Sequence, residues 1–223
     1  MIDLAIIIEP RNDDLLILVV KNILDKIKNI KIHIFHGILN KKLLYKNFKK
    51  EIINKNIILT NLNLKNLLIK EYNNYLTSVD FWNNLDGENI LVFQIDSIIC
   101  NYNEDFIKEC CQYGFIGAPV KKWNIPWQNG GLSLRKKSLI IKAIEAKKIE
   151  EEYFPEDRYF TVVKKHIINP APYKIANQFS VEKFYYEKPF GVHKFWEYLD
   201  KNIINKLLNN NKTLSLLKKY YLF

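Results

Sequence analysis

Short apolar runs separated by stretches of helical spacing organise the first ninety residues. Residues 4–8 are continuously apolar, as in a strand buried on both faces. Asp13 and Asp14 follow as an N-cap and a first-turn acid for a helix with Leu16, Val19, Val20, Ile23, Leu24 and Ile27 on one face. Residues 31–35 read as a second strand ending at His36-Gly37, and residues 57–59 as a third beyond a Lys/Asn-rich segment. Residues 72–85 have helical spacing closed by Asp86-Gly87, and residues 90–93 are the next buried strand. Strands alternating with helices predict an α/β domain with a mostly parallel central sheet.

The second half has a different grain. Every proline except Pro10 lies beyond residue 118, and the helical stretches shorten. Residues 115–117 and 132–134 fit strands, and residues 136–147 fit a helix. A terminal helix is expected over 194–208, with Phe195, Tyr198, Leu199, Ile203 and Leu207 as its stripe. No Gly/Ser linker or internal repeat divides the chain, so residues 1–208 read as one domain with a ligand-binding front half to about 100 and an irregular back half. Residues 209–223 form a tail whose polar start breaks the last helix; its apolar and basic end packs back on the domain or touches an anionic membrane surface.

At 223 residues, with 48% hydrophobic and 26% charged positions, the chain is long enough and apolar enough to bury a core, which excludes wholesale disorder. The net charge of +10 invites nucleic acid, membrane or phosphate partners, but its lysines are interspersed with Asn and Ile along the whole chain and form no Arg stripe. Nucleic acid is therefore not expected as a partner. Cys100, Cys110 and Cys111 make no disulfide framework, which fits a reducing compartment. The first apolar run lacks a basic leader and no stretch is long enough to span a bilayer, so a cytoplasmic location is expected.

Four stretches carry candidate chemistry. Phe93-Gln94-Ile95-Asp96-Ser97 ends a buried strand, where a carboxylate can hold a cation that phosphate oxygens and water complete; alone, these residues better fit a strand-end Asp that caps Ser97 or a turn. Gly117-Ala118-Pro119, then Trp123, Trp127 and Asn129-Gly130-Gly131-Leu132-Ser133-Leu134-Arg135, combine close backbone approach, hydroxyl-bonding groups, aromatic faces and an Arg fork; a bulged hairpin with core tryptophans fits as well. Pro155-Glu156-Asp157-Arg158 starts a helix, its acids serving the helix dipole or a general base. His193, in Gly191-Val192-His193-Lys194, is a neutral metal ligand or a plain surface residue.

Taken in order, these motifs resemble a family of glycosyltransferase-like domains found in fungi, bacteria and large DNA viruses and described as a domain of unknown function. Ile8-Glu9-Pro10-Arg11, His36-Gly37 and Ser78-x-x-Phe81-Trp82 extend the resemblance over residues 2–200. It implies a GT-A fold with a Rossmann-like sheet, a nucleotide-sugar donor (UDP-linked by the superfamily's habit) and a glycan or glycoprotein acceptor. A viral origin would put the chain in the host cytoplasm. The resemblance implies Mn²⁺ or Mg²⁺ at Asp96 and His193, with Gln94 where the superfamily has a first acid. It also implies Asp157 as the base of an inverting transfer beside Glu156. Arg11, Ser78, Gln94, Ser97, Trp127, Asn129, Gly130, Gly131 and Arg135 are the expected donor and acceptor contacts, and Trp123 or Trp127 the sugar platform. Gln94 also opens the alternative of a domain that binds nucleotide or carbohydrate without turnover. A nucleotidyltransferase is a nearer rival, but the usual Gly-rich N-terminal loop is missing.

Overall fold

The computed structural model describes residues 1–121, 126–146 and 155–219. Strand β1 (Leu4–Glu9) leads into helix α1 (Asp14–Lys26), where the Asp13 carboxylate accepts from the Leu15 N–H at 2.9 Å and starts the helix. Strand β2 (Lys31–His36), helix α2 (Lys41–Ile53) and strand β3 (Ile57–Asn61) follow. The Lys/Asn-rich segment is thus largely helix α2, which buries only Leu44 and Phe48 and so shows little apolar periodicity.

The stretch expected as one helix over 72–85 is two, α3 (Ile69–Leu76) and α4 (Val79–Asn83). Ser78 interrupts it: its hydroxyl caps α4 by accepting from the Phe81 N–H at 3.3 Å, and the buried Trp82 indole donates back to the Leu76 carbonyl at 2.8 Å. Strands β4 (Asn89–Phe93) and β5 (Ser97–Ile99), helix α5 (Glu104–Cys110), strands β6 (Phe115–Pro119) and β7 (Gln128–Lys136) and helix α6 (Lys137–Glu145) come next. Helix α7 (Glu156–Arg158) runs into a π-helical turn over Tyr159–Val163, then α8 (Lys165–Ile168) and α9 (Tyr173–Phe179). Strands β8 (Ser180–Val181) and β9 (Gly191–His193) and helix α10 (Lys201–Asn210) close the order.

The terminal helix is also divided. Lys194 takes a left-handed conformation with φ 45°, a 3₁₀ turn covers Phe195–Glu197, and Asp200 recaps the chain by accepting from the Ile203 N–H at 3.0 Å. Beyond α10 the tail returns to the domain, with Leu214 and Leu217 fully buried; residues 220–223, Trp123 and Lys147 lie outside the described residues.

The central sheet has the order β3-β2-β1-β4-β7-β6. Its first four strands are parallel and β7 is antiparallel to both neighbours. Period-two alternation divides the core: Ala5, Ile7, Leu91 and Phe93 pack with α1, whereas Leu4, Ile6, Ile90 and Val92 pack with Trp82 and Ile140 on the other face. From β1 the chain winds outward through β2 and β3, then returns to lay β4 on the opposite side. This reversal opens a crevice outside the carboxyl ends of β1 and β4, where open α/β sheets place ligands. A second sheet, β5-β9-β8, stands beside that crevice.

Candidate active site

The crevice is a cavity of about 780 Å³ lined from the end of β1 by Glu9 and Arg11, from the end of β4 by Gln94 and Asp96, and from β7 by Asn129, Gly130 and Gly131. Asp13, Glu156, Asp157, Glu182, His193, Lys194 and Glu197 complete the charged wall, with Tyr72 and Asn73 from α3 and Trp196 and Tyr198 from the turn after β9. Most of the expected site residues therefore converge.

Asp96 and His193 are brought together by the small sheet. Ser97 pairs with His193 across the antiparallel β5–β9 ladder, and the Ser97 hydroxyl donates to the Gln94 carbonyl at 2.7 Å to close the turn that presents Asp96. The imidazole Nε2 lies 3.2 Å from Asp96 Oδ1, and its Nδ1 lies 3.5 Å from Glu182 Oε2. All four atoms are buried, and none has a hydrogen bond of acceptable geometry. Burial alone would lower the His193 pKa, but the two flanking carboxylates outweigh it and lift the value to about 9. Burial likewise opposes ionisation of Asp96, and His193 and Lys194 overcome it, leaving the Asp96 pKa below its ordinary value.

Asp157 is held differently. The Gly130 N–H donates to its Oδ2 at 3.1 Å, and the Arg158 N–H and Trp127 indole donate to its Oδ1 at 2.6 and 3.4 Å. Desolvation and the adjacent Glu156 charge nevertheless raise its pKa to about 6. The π-helical turn begins two residues later, and the Thr161 hydroxyl donates to the Asp157 carbonyl at 2.7 Å.

Glu156 and Arg135 form the scaffold under this carboxylate. Arg135 is fully buried against the Phe115 ring and donates to both Glu156 oxygens, at 2.6 and 2.9 Å. Its fork is thus engaged inside the protein and not on a ligand. A Cβ on Gly130 would lie 2.5 Å from Glu156 Oε1 and 2.6 Å from Arg135 Nη2, and one on Gly131 would overlap the His193 ring. The adjacent glycines therefore let β7 run between the Asp157 and His193 groups. Asn129 accepts from the Gly131 N–H at 2.7 Å and pins this turn.

The remaining expected contacts stand off the cavity wall. Ser78 caps α4, Ser97 closes its turn, and Trp127 reaches the site through Asp157 while the Arg158 guanidinium stacks over its ring. Arg11 is on the wall, half-exposed, with its Nε and Nη2 on the Glu9 carboxylate at 2.8 and 2.6 Å. Glu182, Glu9 and Tyr72 are cavity residues that sequence reasoning did not assign; Glu9 lies in the Ile8-Glu9-Pro10-Arg11 motif, whereas only strand register and the α3 approach place Glu182 and Tyr72, which no motif marks.

Residues 54–193 match the model of a family described as protein of unknown function (DUF5672). The chain belongs to the DUF5672 family. The match runs from just before β3 to His193 and includes Asp96 and Asp157. No curated protein matches the sequence. Among solved structures, the chain resembles the apo-form glycosyltransferase GlyE of Streptococcus pneumoniae TIGR4 at TM-score 0.59 and 11% identity over 94% of this chain and 64% of that one. It resembles mouse xyloside xylosyltransferase 1 at TM-score 0.59 and 8% identity, covering 89% of this chain and 99% of that one. The mannosyltransferase PcManGT of Pyrobaculum calidifontis, solved with GDP-Man and Mn²⁺, aligns at TM-score 0.50 and 12% identity over 76% of this chain and 54% of that one. The chain thus spans less than two thirds of GlyE. This DUF5672 protein has the fold of the GT-A glycosyltransferases. Among the described residues, no helix is long and apolar enough to cross a membrane.

Proposed function

We propose that this DUF5672 protein is a divalent-cation-dependent glycosyltransferase. It moves a sugar from a nucleotide-sugar, UDP-linked by preference, to a hydroxyl of a glycan or protein acceptor with inversion. One observation carries the reading: a buried carboxylate–imidazole pair and a carboxylate with a pKa near neutrality flank the same Gly130-Gly131 dipeptide in one cavity.

The residues fit a cation. Among the described residues no group of three or more His, Cys, Asp or Glu is arranged to hold a metal ion by itself. Asp96 Oδ1 and His193 Nε2 are two orphaned atoms 3.2 Å apart. Adjacent ligands of an octahedral ion with bonds of ~2.1 Å stand about 3 Å apart, and such ions take one or two protein ligands when phosphate and water supply the rest. Charge favours this too. The described cavity wall carries seven carboxylates against Arg11, Lys194 and, while no cation is bound, the protonated His193, so the excess of negative charge repels a diphosphate that comes without a cation.

When bound, Mn²⁺ or Mg²⁺ neutralises charge on the departing diphosphate. Asp96 and His193 would hold the ion. Asp157 takes the proton of the acceptor hydroxyl as its oxygen bonds to the anomeric carbon; the bond from that carbon to the diphosphate oxygen breaks, and the electron pair leaves with the diphosphate. Three N–H donors fix the Asp157 carboxylate, and its pKa of about 6 keeps it ionised yet basic at neutral pH. Tyr72, Trp196 and Tyr198 supply flat apolar surface for sugar rings.

The test is release of nucleoside diphosphate from UDP- and GDP-linked sugars, with Mn²⁺ and with EDTA. Release that requires the ion, with an inverted product, supports the reading; a retained anomeric configuration removes the base role of Asp157. The competing reading is a GT-A-fold module that binds nucleotide or carbohydrate without turnover. Gln94 favours it, since the residue lines the cavity and brings no charge. Donor binding without release under any acceptor would select it.

A further inference from the structure

The small sheet aligns three ionisable side chains and not two. Its register pairs Ser97 with His193 and Val181 with Val192, so Asp96 precedes β5, His193 ends β9 and Glu182 follows β8 at the same level. Each ring nitrogen of His193 faces its own carboxylate, Nε2 toward Asp96 at 3.2 Å and Nδ1 toward Glu182 at 3.5 Å. Glu182 is only 2% exposed, and its Oε2 has no hydrogen bond. A carboxylate so far from water has to be matched by a nearby donor or cation, and His193 is the group placed to match it.

An imidazole can give a lone pair to a cation from one nitrogen only while the other carries the proton, and a carboxylate beside that other nitrogen selects this tautomer. Gly131 packs against the Nε2 side of the ring, where any side chain would overlap it, so the ring has little freedom to turn. We propose that Glu182 is a positioning residue: it accepts a hydrogen bond from the Nδ1–H of His193 and so presents Nε2, together with Asp96, to a divalent cation carried with a nucleoside diphosphate. This rests on the cation reading above. Glu182 touches neither donor nor acceptor in this role; it acts through the imidazole.

The test is an electron paramagnetic resonance titration of Mn²⁺, with UDP and with GDP, on the full chain labelled with ¹⁵N-histidine. The proteins compared are wild type, Glu182→Gln, Glu182→Ala and Asp96→Ala, each checked for folding by circular dichroism. Wild type is expected to bind Mn²⁺–diphosphate with a histidine-nitrogen hyperfine coupling. Glu182→Gln, isosteric and still able to accept from Nδ1, should bind about 10-fold more weakly and keep the coupling, whereas Glu182→Ala should bind about 100-fold more weakly and lose it. If both variants match wild type in affinity and coupling, the role of Glu182 is overturned and the cation reading stands. If folded wild type binds Mn²⁺ with neither diphosphate, both are overturned. Should Glu182→Ala fail to fold, Glu182→Gln decides alone.

Discussion

Two aspartates at one cavity, both largely withdrawn from water, are driven in opposite directions. Asp96 sits beside His193 and Lys194, which overcome its burial and keep it ionised. Asp157 sits beside the Glu156 carboxylate, and its three N–H donors and Arg135 do not offset that repulsion and burial, so its pKa climbs to about 6. Residue type is the same; the neighbours assign the work. Carboxylates whose environments push their pKa values apart are how one site holds a charge at one point and moves a proton at another.

The comparison breaks most visibly at Asp157→Asn. With Asp157 in the proposed role, loss of the general base lowers turnover by roughly 10²–10⁴, and donor binding, which the proposal assigns to the other aspartate, should survive. The same change should stabilise the fold at pH 8. A carboxyl whose folded pKa lies above its unfolded value binds more protons when folded, so it draws stability down as pH rises from about 3.8 to about 6 and leaves the full penalty above that. Replacing it with Asn should recover on the order of 1–3 kcal/mol at pH 8 and almost nothing below pH 4, read by urea melts. A variant that is less active and no more stable would mean Asp157 is not the strained group described. In wild type, turnover should fall as pH drops through about 6, because the base must be ionised.

Arg135→Met comes next. It leaves Glu156 buried and unpaired, with a loss of roughly 3–5 kcal/mol in chemical denaturation, and it moves the acid limb of turnover to higher pH by removing a cation from beside Asp157. An unmoved limb would separate the scaffold from the base. Gly131→Ala acts on the other side: its methyl meets the His193 ring, and Mn²⁺-dependent donor binding should weaken about tenfold or more while the Asp157 limb stays in place. Trp127→Phe is the finest probe. It removes one long hydrogen bond to Asp157, should change stability by less than about 1 kcal/mol, and should shift the limb slightly upward.

Much of this was legible in the residues. Continuous apolar runs at β1 and β4 read as buried strands because helices cover both faces, and Asp13 starts α1 as its side chain requires. The motif order carried the GT-A fold and gathered Asp96, Asn129, Gly130, Gly131, Asp157 and His193 around one cavity. What escaped was set by long-range contact. Arg135 looks like a ligand fork, but a partner 21 residues away occupies it. Glu182 sits in Ser180-Val181-Glu182 without any local signal, and only its register beside β9 gives it a neighbour. Helix α2 hides because two buried side chains make no stripe, and the breaks at Ser78 and Lys194 follow from a cap and a left-handed residue that helical spacing does not register.

The central claim is that Asp96 and His193 bring a nucleotide-sugar into this cavity together with a divalent cation. Titration calorimetry of wild type and Asp96→Ala against UDP- and GDP-linked sugars, in Mn²⁺ and in EDTA, tests it most directly. The account predicts that wild type binds at least one donor in Mn²⁺ and not in EDTA, and that Asp96→Ala does not bind it. Equal binding in EDTA, or by Asp96→Ala, would contradict it.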